Sequence, residues 1–350
     1  MQKYTCKKCE AELFWDSESQ QLKCEYCGQL YDPEEFNDTN EQAGCVVKNE
    51  NTTDDSQGFA LLKYICDGCG AEVITAAGTL ATTCVHCGRA LSMNKKLEGI
   101  FKPDYVIPFA IAKPKAIELY KQYIKGFCIP KEFSEEAQVE KIKGLYVPFW
   151  LHSFRDDSTA EFQCEKEIVS RRNDDKVVTH QKYQVNMAAT TLFDKLPTDA
   201  LTKMDDKIMD ALEPFNYQRI EEFHPGYMAG YYAEEYNEDV VETFPRARKR
   251  AVEAIKVLMK DSINKKYDTI YMTKFNDAII THSADYAMLP IWLLTVTYQN
   301  KQYIFAVNGV TGKVAGRVPL DVKKLTLCGI CVTLVTTLLV LLMKFLPDLF

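Results

Sequence analysis

The sequence predicts a multidomain chain: two small tetracysteine modules, an α+β domain and one C-terminal transmembrane helix. Three observations predict it. Eight cysteines stand in four CxxC pairs near the front, and the same spacing is used twice. An acidic, polar stretch separates the two uses. From Leu325 to Met343, nineteen residues then pass without a charge.

A chain of 350 residues has room for two or three domains and at least one full core. It is 47% hydrophobic and 26% charged, the composition of a folded protein. The net charge of -7 is local, because Tyr31 to Gly58 holds eight acids and one lysine. The other 41 basic and 41 acidic residues cancel. No part of the chain shows the basic excess that a phosphate backbone calls for, which disfavours nucleic acid as partner. Residues 1–9 carry no apolar stretch behind a charged start, so a cleaved signal peptide is not expected. Thirteen cysteines, an odd number, then argue for reduced thiols in a cytosolic compartment.

The first module is residues 1–31. Cys6 and Cys9 are followed, after fourteen residues, by Cys24 and Cys27. The second is residues 63–94, with Cys66 and Cys69 followed after fourteen by Cys84 and Cys87. The copies stay in register at Tyr4/Tyr64, Ala11/Ala71, Glu12/Glu72 and Gly28/Gly88. A CxxC turn points two sulfurs to one side, and two such turns on a hairpin close a tetrahedral S₄ cage. Neither copy is long enough to bury a core, so the metal would supply its folding energy. Zinc is the expected ion, two per chain; rubredoxin-like iron stays open, since S₄ tetrahedra accept both. A thioredoxin-like redox pair would need one CxxC on a βαβ unit, not four. Gly28, Gly70 and Gly88 follow the second cysteine of their pairs, where positive φ helps the turn, whereas Glu10 takes that place in the first knuckle. His86 reads as a spacer, because Cys84 and Cys87 complete the four. Phe14 and Trp15 suit either packing or stacking on a base.

These two segments resemble zinc ribbons, a family that binds DNA, RNA or protein, or only stabilises a neighbour. Between them, residues 32–62 read as an acidic flexible linker, with a regulated docking segment as the sharper alternative.

Residues 95–322 read as the α+β domain. Strands are predicted at Tyr105–Ala110, Leu145–Phe154, Thr159–Val169, Lys176–Met187, Gly226–Glu235, Met288–Tyr298, Gln302–Asn308 and Lys313–Arg317. Helices are predicted at Lys113–Ile124, Thr198–Leu212 and Pro245–Lys266, the last with proline in its first turn. Trp150 and Trp292 recur in related strand sequences and read as core anchors. The NGVTGK segment lacks the spacing of a phosphate loop and reads as a turn after Asn308, so no nucleotide is expected. Arg246 to Arg250 bring four cations to the predicted start of a helix, where the macrodipole prefers anions. A solvated face and a contact with acidic lipid or protein are both compatible with it. No HExxH, GxSxG or Gly-rich dinucleotide turn occurs, and the five histidines are isolated, so a non-enzymatic chain is expected.

Residues 325–343 would span about 28 Å as a helix, close to the hydrocarbon thickness of a bilayer. Lys313, Arg317, Lys323 and Lys324 precede them and Lys344 follows. The positive-inside rule then predicts a single-pass protein of the cell membrane with its N-terminal part cytoplasmic. Cys328 and Cys331 lie inside the apolar run and read as ordinary small residues of it.

This architecture resembles a group of bacterial membrane-anchored tandem zinc-ribbon proteins, often labelled primosomal-helicase-like. Some are encoded beside PspA and SPFH-type envelope-stress proteins. Only the eight cysteines carry the resemblance as specific motif residues, and no helicase motor accompanies them. The resemblance implies a non-enzymatic membrane adaptor or anchor that presents its ribbons and α+β domain to protein partners. A membrane-tethered nucleic-acid-binding protein is the second reading, and an enzyme housed in the α+β domain the third.

Overall fold

The computed structural model describes residues 4–36, 61–65, 72–76, 92–96, 103–126, 129–136, 142–172, 175–299 and 301–345. In chain order its first elements are β1 (Leu13–Asp16), β2 (Gln21–Cys24) and β3 (Leu30–Tyr31), then β4 (Leu61–Ile65), β5 (Glu72–Ala76), β6 (Ser92–Lys96) and β7 (Tyr105–Val106). Next come α1 (Lys113–Tyr123), α2 (Lys131–Glu136), β8 (Lys143–Arg172), β9 (Asp175–Asp199), α3 (Asp206–Leu212), β10 (Glu221–Glu222), β11 (Tyr232–Ala233) and α4 (Val240–Asn264). β12 (Thr269–Asn276), β13 (Ile279–Tyr298), β14 (Lys301–Asn308), β15 (Val314–Gly316) and α5 (Val322–Phe345) complete it. The architecture is mixed α/β, with a 12-stranded sheet and a separate 3-stranded sheet β1-β2-β3.

β8 is the spine. β9 runs antiparallel along one edge of it, from Phe149↔Asp199 to Arg172↔Asp175. The other edge is shared by β13, over Lys143 to Asp156, and β12, over Thr159 to Glu165. A thirty-residue strand cannot run flat, because strands twist and long sheets curl. The curl has a local cause. Between His152↔Leu196 and Phe154↔Phe193, β8 supplies Ser153 alone while β9 supplies Asp194 and Lys195. Lys195 takes a positive φ of 56° and its backbone N–H bonds Ser153 Oγ at 3.0 Å, a bulge that bends the ribbon. The strands predicted at 145–154 and 159–169 are therefore one bent strand.

At its base the sheet is buried on both faces, which explains the unbroken apolar runs of β8 and β13. One face puts Leu145, Val147, Phe149 and Leu151 with Leu289, Ile291 and Leu293 against Ile208, Met209 and Leu212 of α3. The opposite face carries Tyr146, Trp150, Tyr286 and Trp292, the two tryptophans serving as the predicted anchors. Their indole N–H groups donate to Glu238 O at 2.9 Å and Ile111 O at 2.8 Å. Beyond the bulge, α4 covers Ala160, Phe162 and Cys164 with Ile255, Met259 and Ile263.

Several predicted boundaries move. The helix expected at Thr198–Leu212 is only α3, because Thr198 and Asp199 pair with Trp150 and Phe149 in the sheet. The strand expected at Gly226–Glu235 shrinks to β11, since Pro225–Met228 form a 3-10 turn capped by His224. α4 begins at Val240, well before Arg246, on a capping box. Asp239 accepts from the N–H groups of Val241 and Glu242, and Glu242 Oε2 accepts from Asp239 N–H, each at 2.8 Å. Pro245 thus lies inside the helix, not in its first turn. The Asn308–Lys313 segment is the β14–β15 turn, with strand on both sides and Asn308 Oδ1 accepting from the N–H of Val310 and Thr311.

Three of the four cations in the Arg246–Arg250 cluster are paired with carboxylates. Arg246 pairs with Asp199 at 2.5 Å and with Asp206. Arg248 pairs with Asp277 at 2.6 Å, and Arg250 with Glu213 at 2.6 Å and Asp210 at 3.2 Å. These cations stand beyond the first turn, clear of the positive end of the dipole, and bind α4 to β9, to α3 and to the β12–β13 turn.

The first module is seated in the main body: Leu13, Trp15, Leu22 and Tyr31 share one core cluster with Phe109, Tyr146, Met228 and Trp292. Trp15 N–H donates to Ala229 O at 3.1 Å, and its indole N–H to Phe109 O at 3.3 Å. Gln20 Nε2 reaches the same carbonyl at 2.9 Å. Phe14 lies over Gly230, where an added Cβ would come within 2.9 Å of its ring. Phe14 and Trp15 are therefore packing residues of an internal interface, not a free stacking platform.

α5 differs from every other helix. Its large apolar side chains from Val322 to Leu341 stand 44% to 67% exposed, and it is one helix long and apolar enough to cross a membrane.

Candidate metal centre

The hairpin β1–β2 carries the site. Its register, Leu13↔Cys24 to Asp16↔Gln21, brings the turn before β1 and the turn after β2 to the same end. Each turn folds in the same way. In the first, Cys6 N–H donates to Ala11 O at 2.7 Å and Glu10 N–H to Cys6 O at 2.8 Å. In the second, Cys24 N–H donates to Gln29 O and Gly28 N–H to Cys24 O, both at 2.9 Å. The residue after each pair must be left-handed: Gly28 has φ 72° and Glu10 has φ 62°. Glycine adopts this freely and glutamate at a cost, so the departure seen in the sequence is a strained position in the fold.

These turns gather Cys6, Cys9, Cys24 and Cys27 with all four Sγ atoms within 4.8 Å of one another. Cys6 Sγ and Cys27 Sγ are 3.4 Å apart, and Cys9 Sγ and Cys24 Sγ 3.5 Å. A tetrahedron with metal–sulfur bonds of about 2.3 Å has sulfur edges of about 3.8 Å, so the four fit one ion. All four are free thiols, and the distances are far too long for disulfides. Cys6 and Cys24 are buried, Cys9 and Cys27 half-buried. Water therefore reaches the cage from one side only.

The surroundings push the four thiols in different directions. Burial raises Cys6, but the Tyr31 hydroxyl and the Lys8 and Cys9 backbone bring it down to about 6. Cys24 is lowered chiefly by its hydrogen bond with the Cys27 backbone. The Ala11 backbone N–H favours a Cys9 thiolate, yet burial and the hydrogen bonds shared with Cys24, Cys27 and Cys6 push it up to about 12. Cys27 is raised as well, burial and the neighbouring thiols outweighing the Gln29 backbone. A divalent cation among the four sulfurs would favour the thiolate form of all of them.

Cys66, Cys69, Cys84 and Cys87, the second predicted set, and His86 lie outside the described residues. What is described nearby is the pairing of β4 with β5, in which Ile65 faces Glu72 as Thr5 faces Glu12 sixty residues earlier. Of the other cysteines, Cys164 is buried beneath α4, and burial raises its thiol.

Sequence reading missed one residue of this centre. Tyr31 Oη lies 3.3 Å from Cys6 Sγ, both buried. A lone tyrosine four residues past a CxxC has no signature of its own, and only the β2–β3 register, Leu22↔Tyr31, turns it toward the sulfurs.

No family model matches this chain. No solved structure matches it either. The chain is 31% identical over 319 residues to the uncharacterized protein YdjG of Bacillus subtilis (strain 168), a match covering 91% of this chain and 90% of that protein. At that identity over nine-tenths of both chains, the chain belongs to the same family as YdjG.

Proposed function

We propose that this is a non-enzymatic, zinc-binding membrane adaptor, held in the bilayer by α5 and offering its cytosolic face to protein partners. The observation that carries the reading is the joining of two features in one chain. A tetracysteine cage sits on a module seated in the main core, and a long, bare apolar helix leaves the same body. In this reading zinc at Cys6, Cys9, Cys24 and Cys27 is structural: it folds the hairpin that covers one face of the sheet. A second zinc is proposed at Cys66, Cys69, Cys84 and Cys87 on the strength of the repeated spacing alone. The cation bias of Lys313, Arg317, Lys323 and Lys324 over Lys344 supports a cytoplasmic N-terminal part. Arg246, Arg248 and Arg250 pair with carboxylates and so lend the nucleic-acid reading no support.

The test begins with full-length protein purified in mild detergent. Elemental analysis should find two zinc per chain, and chelation should weaken the main fold as well as the modules, because the first hairpin is part of its core. Affinity purification from cross-linked cells should then recover a defined protein partner, retained in high salt. Iron in place of zinc, no metal at all, or retention of nucleic acid that salt abolishes would overturn the reading.

A further inference from the structure

We propose that Tyr31 is a positioning residue of the first metal centre, and that its hydrogen bond to Cys6 makes this centre slower to lose metal than the second. The inference rests on the metal-binding reading above. A metal-bound thiolate can only accept, so across the 3.3 Å contact the phenol O–H is the donor. The phenol is held there. Phe36 meets the Tyr31 ring edge-on at 5.6 Å, and Lys7 Nζ stands 5.8 Å from the ring centre. Lys7 Nζ is itself tied to Glu35 Oε2 at 3.2 Å, which links the first knuckle to the turn that carries Phe36. Four thiolates leave a divalent site with an excess of negative charge, and a buried donor draws density from one sulfur. That sulfur becomes a poorer nucleophile toward oxidants and electrophiles, and its position is fixed.

In sequence, the second set of cysteines has no counterpart of these three residues. Sixty residues on from Tyr31, Lys7 and Phe36 stand Leu91, Asp67 and Lys96. No hydroxyl occupies the position equivalent to Tyr31, and an acid replaces the cation. Two cysteine sets of identical spacing therefore differ at the sequence positions that supply the first centre's outer partners, and the loss of such partners weakens metal binding by about 10- to 100-fold.

The experiment follows zinc release from the full-length protein into a chromogenic chelator, with and without N-ethylmaleimide. Wild type should release one equivalent fast and one slowly. The Cys66→Ser/Cys84→Ser variant should keep only the slow equivalent. Tyr31→Phe, which retains the ring, should speed that slow phase about 10-fold or more. In the cobalt-substituted protein, Tyr31→Phe should also shift the thiolate-to-metal charge-transfer band. A slow phase and a cobalt spectrum unchanged by Tyr31→Phe overturn the proposal while leaving the metal reading intact. A Cys66→Ser/Cys84→Ser protein that holds no metal overturns the metal reading, and the proposal with it.

Discussion

α4 and α5 are helices of nearly equal length, 25 and 24 residues, built on opposite plans. α4 buries one stripe, Thr243, Ala247, Ala251, Ile255, Met259 and Ile263, spaced four apart, and turns charged residues outward. Its length is made stable by tertiary contact along that stripe and by a capping box. α5 has no stripe, no acid in its first turn and exposed apolar side chains on all sides. Asp321 caps its first N–H groups and the helix satisfies the rest of its backbone within itself, which suits an apolar medium as well as a protein neighbour. The pair teaches that length and apolar content do not assign a helix its surroundings. The arrangement of the apolar residues does.

The sharpest way to break this comparison is to place the same charge in both helices. Ile255 is 1% exposed, against Phe162 and Cys164 of β8. Ile255→Asp should cost more than about 4 kcal/mol and abolish cooperative unfolding of the main body, because an unpaired carboxylate would be buried. Leu334→Asp in α5, at a residue 66% exposed, should leave that transition unchanged. It should instead weaken membrane retention through carbonate washing, at a cost of about 3 kcal/mol for insertion. Loss of the folded body in the second variant would show that α5 is a core helix after all.

A second test sharpens the polar end of α4. Thr243 donates its hydroxyl to Asp239 O at 3.0 Å, so its oxygen accepts from His152 Nε2–H at 3.2 Å. His152 Nδ1 then accepts from His282 Nε2–H at 3.0 Å. Burial, with His282 and Arg246 nearby, lowers His152 to about 4 from an ordinary 6.5. The sign follows: below 6.5 the unfolded chain takes up a proton that the folded one refuses. The contribution of His152 is complete above pH 6.5 and is lost as the pH falls toward 4, by up to about 3 kcal/mol. Asp199 opposes this in the same window. Burial outweighs Arg246 and raises it to about 6, so the fold favours its protonated form. Total stability therefore mixes the two, and the clean measurement is the imidazole resonance of His152, which should stay neutral to about pH 5. A resonance that titrates near the ordinary histidine value would mean that the N-terminal end of α4 does not seal this histidine.

Much of this was legible in the sequence, for reasons that differ by region. The cage at Cys6, Cys9, Cys24 and Cys27 could be read because its ligand spacing is local, and α5 because its uniform apolarity needs no partner to interpret. The seating of the first module could not. Phe14 meets Gly230 and Trp15 meets Tyr227, contacts that join residues more than two hundred positions apart and leave no periodic trace. The length of β8 was hidden for a related reason. Its first part is buried on both faces and its middle on one, so its pattern changes from continuous to alternating within one strand. The start of α4 was legible but misread. Asp239 and Glu242 form a D-x-x-E signature, and Pro245 drew attention from it by offering a more familiar start.

That misreading yields the smallest and most specific prediction. If α4 starts at its capping box, then Asp239→Ala removes the acceptor for two backbone N–H groups, those of Val241 and Glu242. It should cost about 1 kcal/mol, read as a lower denaturation midpoint with an unchanged slope. Asp239→Asn keeps an acceptor oxygen and should recover most of the loss. Pro245→Ala supplies the contrast. Were Pro245 the first helical residue, replacing it would forfeit a favourable N-terminal proline and destabilise the helix slightly. Here it lies inside α4, beyond the first turn, where a proline withholds one hydrogen bond from the carbonyl of Val241. Pro245→Ala should therefore be neutral or stabilising. A destabilised Pro245→Ala protein beside an unaffected Asp239→Ala protein would return the start of the helix to Pro245 and leave the first five residues of α4 without a reason to be helical.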